Sequence, residues 1–207
     1  MSCYKYTDFF LNPVFFSLII FFLNFSSVHA LELLTVFAAA STRQPVEKLL
    51  KRFKEKTGIE SQTSFASSGT LARQISFGAE VDIFLSANCK WAEYLIQEKI
   101  IQSGSKLDYL KNSLILVKPV NISVRKIELK KSYPIADSFN GLISIADPMH
   151  APAGQYAQQA LKSLGWWSKL KGRMCFAIDV RSALAFVVRE ETELGIIYKT
   201  DLKFSQN

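Results

Sequence analysis

The sequence is poor in the side chains on which most enzyme active sites depend. Its 207 residues include only two histidines, His29 and His150, and three cysteines. It contains no Gly-x-Ser-x-Gly segment, no His-Glu-x-x-His segment, no phosphate loop and no Cys/His group with zinc spacing. Serine hydrolases, zinc enzymes and P-loop proteins therefore lack their usual signatures here. We predict a protein that is not an enzyme and has no cofactor, with His150 in a surface or structural role.

The N-terminal region also lacks an apolar run long enough to span a membrane. The run 14–25 has twelve residues, whereas a membrane-spanning helix needs about 20. Lys5 precedes it and the small-residue segment 26–30 follows it, which is the pattern of an export signal with a cleavage site. We therefore predict a signal peptide over 1–30, cleaved after Ala30, with an uncleaved anchor as the alternative. No cysteine follows Ala30 directly, so a lipid anchor is not indicated.

Positive charge is in excess but is not concentrated in one segment. The sequence has 25 lysines and arginines against 18 aspartates and glutamates, a formal net charge of +7. Its densest basic cluster, Lys126, Lys130 and Lys131, is interrupted by apolar and acidic residues. Scattered lysines are typical of an ordinary solvated surface, so we predict no nucleic-acid partner.

Only two cysteines, Cys89 and Cys175, follow the predicted signal peptide. In an oxidising compartment they could form a disulfide. The sequence does not give their separation in space, so two free thiols remain an equal alternative.

Short apolar strands alternate with amphipathic helices after residue 30, which is the pattern of a parallel sheet covered by helices. The first predicted helix ends at Gly58 and carries an apolar stripe formed by Val46, Leu49, Leu50 and Phe53. A polar, lysine-rich stretch later in the chain favours a division into two α/β lobes, 31–112 and 113–207. The predicted strands are 33–37, 59–65, 81–85, 113–118, 142–146 and 194–198.

Three turns rich in small residues follow the first three predicted strands. They are 39–41, 67–70 and 86–87. In a parallel sheet, ligands bind beyond the carboxyl ends of the strands, where helices start with free N–H groups and about half a positive charge. Small residues let an anion approach those groups. The turns indicate an anion site, although Ser41, Ser68 and Thr70 could also be ordinary N-caps.

The segment Val-Phe-Ala-Ala-Ala-Ser at 36–41 closely resembles the periplasmic molybdate-binding proteins of ABC importers. Five further segments continue the match in order, so that the resemblance extends over nearly the whole chain after residue 30. These segments are 65–75, 81–87, 146–157, 179–184 and 195–198.

The resemblance implies a two-lobe periplasmic-binding-protein fold, in which parallel sheets are flanked by helices and the ligand lies in the cleft between lobes. It also implies a molybdate oxyanion held by neutral donors, without a lysine or arginine counter-charge. Because a tetrahedral dianion offers only acceptors, a site made of donors satisfies every oxygen. Ser41 and Ser68 would donate through their hydroxyl and backbone N–H groups. Ala87, Ala153 and Val180 would donate through the backbone N–H alone. Tyr198 would donate through its phenolic hydroxyl.

By the same resemblance, we expect the protein to capture molybdate or tungstate in the periplasm. As a monomer, it would deliver the anion to the membrane permease and ATPase of an ABC importer. One alternative is capture of sulfate, thiosulfate or phosphate, since Asp147 and Asp179 lie close in sequence to the predicted ligands. The other is a truncated product with no transport role.

Two departures from the family pattern bear on these expectations. Gly69 stands where the family often has a third serine, which removes a hydroxyl but keeps the backbone donors. The relatives also run well past the strand that contains Tyr198, so C-terminal return elements of both lobes are expected to be missing. Exposed apolar surface and a lower stability than that of full-length relatives would follow.

Overall fold

Helices and strands alternate along the part of the chain that the structure describes, which is residues 33–108 and 110–204 of a computed structural model. These residues belong to one compact unit that begins at Leu33. The predicted signal peptide, 1–30, lies outside them. Within these residues, no helix has the length and apolar character needed to cross a membrane.

The first sheet has three parallel strands in the order β2-β1-β3. Its strands are β1 (Leu33–Ala39), β2 (Glu60–Ala66) and β3 (Ile83–Leu85). The central strand, β1, contains the fully buried Val36 and Ala38, as expected for a strand with neighbours on both sides. All three strands were predicted, with ends that differ by one or two residues.

Three helices cover this sheet: α1 (Arg43–Thr57), α2 (Ser68–Ser76) and α3 (Cys89–Gln97). The predicted end of α1 is confirmed, since Gly58 takes the left-handed conformation (φ 75°) that glycine adopts without strain. The predicted apolar stripe is too wide. Val46 and Leu50 are buried, but Leu49 is 64% exposed. At 3.6 residues per turn, Leu49 lies on the opposite side of Val46 from Leu50, which is the side of α1 that faces solvent.

The second sheet has four strands in the order β4-β7-β5-β6. They are β4 (Leu114–Val117), β5 (Ile143–Ala146), β6 (Met174–Ala177) and β7 (Leu194–Tyr198). Three of them run parallel, whereas β4 is antiparallel to β7. The expectation of parallel sheets therefore fails at this edge strand, and β6 was not predicted at all.

The helices of the second sheet are α4 (Pro152–Ser163), α5 (Trp167–Leu170) and α6 (Val180–Val188). Its largest apolar cluster includes Ile143 and Ile145 from β5, together with Leu161 and Trp166. Short 3₁₀ turns lie at Ala40–Thr42, Ser103–Ser105, Ile135–Asp137, Lys171–Arg173 and Asp201–Phe204. This core fixes the carboxyl ends of β5, β6 and β7, where α4, α6 and Tyr198 approach the first sheet.

Neither cysteine forms a disulfide in the structure. Cys89 is exposed in α3, and Cys175 is half-buried in β6, on the other sheet. The alternative of two free thiols is therefore the one observed.

Large apolar side chains are exposed at several places, among them Phe77, Leu107 and Val120. The reduced stability expected from the sequence stays a prediction.

Close packing at Gly154 fixes the start of α4. A Cβ atom at this residue would lie 2.1 Å from the carbonyl oxygen of Ala146, the last residue of β5. Backbone atoms cannot yield as a flexible side chain can. Only glycine lets α4 begin this close to the end of the strand.

We expect Gly154→Ala to lower the free energy of unfolding by about 1–3 kcal/mol, the usual cost of overpacking. Urea denaturation measures this change. The matched control is Gly172→Ala, where no atom lies within 4 Å of the added Cβ. We expect the control to change stability by less than about 0.5 kcal/mol. Equal effects of the two substitutions would contradict the packing argument.

Candidate functional site

The starts of several helices converge on a small, partly open cavity. Residues that follow β1, β2, β3, β5 and β6, together with the last residue of β7, contribute to its wall. The structure thus brings together all six residues that the sequence predicted as ligands: Ser41, Ser68, Ala87, Ala153, Val180 and Tyr198. The remaining lining residues are Ala39, Ala40, Ala66, Ser67, Ala151, Pro152 and Asp179.

The start of α2 uses most of its free N–H groups within the protein. The Ser67 hydroxyl caps the helix by accepting the Thr70 N–H, at 3.3 Å. The Gly69 N–H donates to the carbonyl of His150 at 2.9 Å. The N–H of the buried Ser68 has no such partner among the described residues, so it is available at the cavity wall.

The starts of α4 and α6 leave similar donors at the opposite wall. In α4, Ala151 has no side chain that could cap the helix and Pro152 has no N–H, so Ala153 supplies the first free N–H. In α6, Asp179 accepts the Ser182 N–H at 2.8 Å, which leaves the Val180 N–H for the cavity. Each helix start adds roughly half a positive charge to the cavity without any cationic side chain.

The buried Ser68 hydroxyl is oriented by the turn after β3. Its oxygen accepts the Ala87 N–H at 2.9 Å. The sequence led us to expect this N–H to point at a ligand, whereas the structure uses it to hold Ser68. Because the hydroxyl accepts from Ala87, its own proton is left to donate into the cavity.

Tyr198, the last residue of β7, presents the most unusual group of the site. It is 5% exposed, and its hydroxyl is fully buried without a hydrogen-bond partner among the described residues. Burial raises the pKa of this phenol well above its ordinary value, and Tyr156 and Asp201 raise it further. The hydroxyl therefore stays protonated at neutral pH. A buried donor of this kind costs about 1–3 kcal/mol unless an acceptor reaches it.

Behind the cavity lies an ion pair that the sequence did not reveal. Arg181 Nε is 3.0 Å from Asp201 Oδ1, and Asp201 is completely buried. The guanidinium also donates through Nη2 to Gln44 Oε1, at 2.5 Å. Arg181 belongs to 179–184, one of the segments that resemble the family. No sequence pattern pointed to Asp201 or Gln44, because neither residue lies in such a segment.

Charged side chains are nearly absent from the cavity wall itself. No lysine, arginine or histidine lines it, as far as the described residues show, and Asp179 is the only carboxylate. Asp147 does not line it. The His150 ring contacts the Ile178 carbonyl at 3.1 Å and lies 3.7 Å from Asp147, which gives it a structural partner. The same residues contain no group of three or more side chains placed to hold a metal ion.

Comparison with known families agrees with this architecture. Residues 34–207 match the family described as bacterial extracellular solute-binding protein. The chain belongs to this family. Its periplasmic-binding-protein fold, expected from the sequence, is thereby confirmed.

Family members of the ModA type are similar in sequence to this solute-binding chain, which confirms the resemblance seen in its motifs. The molybdate-binding protein ModA of Escherichia coli is 41% identical over 175 residues, covering 81% of this chain and 66% of the relative. ModA of Haemophilus influenzae is 41% identical over 173 residues, covering 83% and 68%. The chain therefore spans about two thirds of the length of these relatives.

Solved structures show the same fold. The periplasmic molybdate-binding protein of Azotobacter vinelandii superposes with a TM-score of 0.68 at 28% identity, over 80% of this chain and 71% of that one. The sulfate-binding protein SubI of Mycobacterium tuberculosis superposes with a TM-score of 0.64 at 12% identity, over 81% and 65%. At that identity the second match shows the fold alone.

The pKa of Asp201 makes the stability of this solute-binding chain depend on pH. Burial raises that pKa from 3.8 to about 6, against the opposing effect of Arg181. At a pH between these two values, the Asp201 carboxyl has lost its proton in the unfolded chain but keeps it in the folded protein. The unfolded state therefore binds fewer protons, and stability falls as pH rises from about 4 to about 6.

We expect Asp201→Asn to remove this component of the pH dependence. Two pKa units correspond to about 3 kcal/mol between the two ends of the range. Urea denaturation at several pH values from 4 to 7 measures the difference between the variant and the original protein. The control is Asp137→Asn, at an exposed position, which should keep the original slope. An unchanged slope in Asp201→Asn would show that this carboxyl does not titrate in that range.

Proposed function

We propose that this protein captures molybdate in the periplasm and delivers it to an ABC importer. The observation that carries the proposal is the buried Tyr198 hydroxyl, a donor without an acceptor at the wall of a cavity lined by other donors. The similarity to molybdate-binding proteins of Escherichia coli and Haemophilus influenzae supports molybdate as the anion.

The donors would surround the anion from both sheets. Ser68 would contribute its hydroxyl and N–H, and Tyr198 its hydroxyl. The remaining direct donors would be the hydroxyl and N–H of Ser41 and the N–H groups of Ala153 and Val180. Ala87 would act through Ser68, whose hydroxyl it orients at 2.9 Å. Molybdate has four acceptor oxygens and no proton at neutral pH, so such a set matches its chemistry.

Neutral donors also bear on selectivity among oxyanions. Hydrogenphosphate carries a proton and is best held by a carboxylate acceptor, and Asp179 is the only carboxylate among the described residues of this wall. One oxygen of Asp179 already accepts the Ser182 N–H, which favours an unprotonated anion. Sulfate and tungstate have the same charge as molybdate, so discrimination among these three would depend on the size of the cavity. Tungstate, which is close to molybdate in size, is expected to bind as well.

The delivery step requires partners and a compartment. The protein would reach the periplasm through a signal peptide over 1–30 and act as a monomer. Its two lobes, 31–112 and 113–207, would close over the anion. The closed form would then dock on the membrane permease, whose ATPase drives import.

Thermal unfolding of the purified protein with and without added anion tests this function. An anion at ~100 times its dissociation constant adds about 2.7 kcal/mol of stability, which raises the midpoint measurably. We expect molybdate and tungstate to raise the midpoint, while sulfate and phosphate at the same concentration do not. A cooperative transition that none of the four anions shifts would contradict oxyanion binding. A shift with sulfate or phosphate alone would reassign the ligand.

Tyr198→Phe separates a ligand-binding hydroxyl from a structural one. The variant loses a hydrogen bond to a charged ligand, worth about 1.5–3 kcal/mol, so we expect the dissociation constant for molybdate to rise roughly 10- to 100-fold. It also loses an unsatisfied buried donor, so stability without ligand should stay the same or increase. Titration calorimetry and urea denaturation measure the two quantities.

Tyr133→Phe is the matched control. The Tyr133 hydroxyl donates to the Lys126 carbonyl at 2.8 Å, away from the cavity. This substitution should lower stability by about 1 kcal/mol and leave molybdate affinity unchanged. If Tyr198→Phe behaved like the control, Tyr198 would have no role in binding.

A further inference from the structure

Near the cavity, three of the hydrogen bonds between described residues join the first predicted lobe, 31–112, to the second. The Gly69 N–H donates to the His150 carbonyl at 2.9 Å. The Asn88 side chain donates to Gln155 Oε1 at 2.9 Å. Arg181 Nη2 donates to Gln44 Oε1 at 2.5 Å. All three connect the two proposed lobes, so each is broken when the lobes separate.

The Arg181–Gln44 bond differs from the others because its donor is held in place by a buried partner. Arg181 Nε lies 3.0 Å from Asp201 Oδ1, and Asp201 is 0% exposed. A planar guanidinium that is fixed at one edge presents its other N–H groups in a set direction. Gln44 lies in the first turn of α1, only three residues after Ser41. A rigid group of the second lobe is thus hydrogen-bonded to the helix that follows Ser41, a predicted ligand-binding residue.

Arg181 does not line the cavity, although it follows Val180 directly. Its charge is matched by Asp201, and it donates to the neutral amide of Gln44 in the first lobe. The guanidinium is therefore placed to act on the approach of the lobes and not on the anion itself.

We propose that Arg181, held in place by Asp201, is a positioning residue that stabilises the closed cleft through its hydrogen bond to Gln44. The inference rests on the proposed oxyanion binding only for its effect on affinity, because closure itself can be measured without an anion. The bond forms only when the lobes meet. Its energy therefore stabilises the closed form and slows escape of a bound anion.

The decisive substitution is Gln44→Ala, which removes the acceptor and leaves both the Asp201–Arg181 pair and the cavity lining intact. The distance between lobes is read by energy transfer between dyes on Cys89, which is exposed, and on a cysteine introduced at the exposed Ser163, in a Cys175→Ser background. We expect Gln44→Ala to lengthen this distance in anion-free protein. Gln44→Glu keeps an acceptor for the guanidinium and should restore the original distance.

Anion kinetics provide the second readout. We expect Gln44→Ala to speed molybdate dissociation roughly tenfold, as loss of one charge-assisted hydrogen bond implies, with little change in the association rate. Urea unfolding without anion should stay cooperative, and its midpoint should fall by no more than the loss of one hydrogen bond implies, which distinguishes positioning from a general loss of structure. Gln97→Ala, at an exposed position of α3, is the control and should change neither distance nor dissociation.

Unchanged distance and unchanged dissociation in Gln44→Ala would overturn the proposal. So would a distance that lengthens equally in Gln97→Ala. If the unsubstituted protein bound no molybdate, the proposed function would fail, while the dye distances in Gln44→Ala and Gln44→Glu would still decide whether Arg181 holds the lobes together.

Discussion

Unpaired donors at the starts of helices are the constraint on which this cleft depends. An α-helix leaves its first N–H groups without partners, and a buried one must find an acceptor or cost free energy. Here some of those groups are capped within the protein, by Ser67 and Asp179. Others, at Ser68, Ala153 and Val180, face one cavity together with the Tyr198 hydroxyl. An anion is the species that satisfies such a set.

The use of neutral donors explains where the charged groups lie. Arg181 stands one residue from the cavity wall, yet its guanidinium faces Asp201 and Gln44. A cation aimed at the cavity would attract many anions, protonated or not. Donors of fixed direction instead favour an anion whose oxygens all accept. The ion pair instead contacts Gln44, in the helix that follows β1.

Local patterns in the sequence were enough to predict most of the strands, and the family resemblance implied the six cavity residues, each of which lies at the carboxyl end of a strand or in the segment that follows it. The pairing of β4 with β7 could not be predicted, since strand direction depends on contacts between Leu114 and Tyr198, far apart in the chain. β6 was not predicted because its four residues show no alternation of apolar and polar side chains. The exposure of Leu49 depends on which side of α1 is covered by the sheet, and the sequence of the helix alone does not reveal this.

The same limit applies within the site. The sequence placed Ala87 at the cavity, but its N–H holds the Ser68 hydroxyl, a contact between residues 19 apart. Gln44 and Arg181 are 137 residues apart and meet only in the folded protein. The residues near the ends of strands could thus be predicted from the sequence. The hydrogen-bond partners of their backbone and side-chain groups depend on tertiary packing.

The most direct test of molybdate binding in this cavity is anomalous diffraction at the molybdenum edge from crystals of the protein grown with molybdate. We expect one strong peak inside the cavity, at a position from which the molybdate oxygens reach the Tyr198 and Ser68 hydroxyls and the Ala153 and Val180 N–H groups. A peak at another site, or an empty cavity at saturating molybdate, would contradict it.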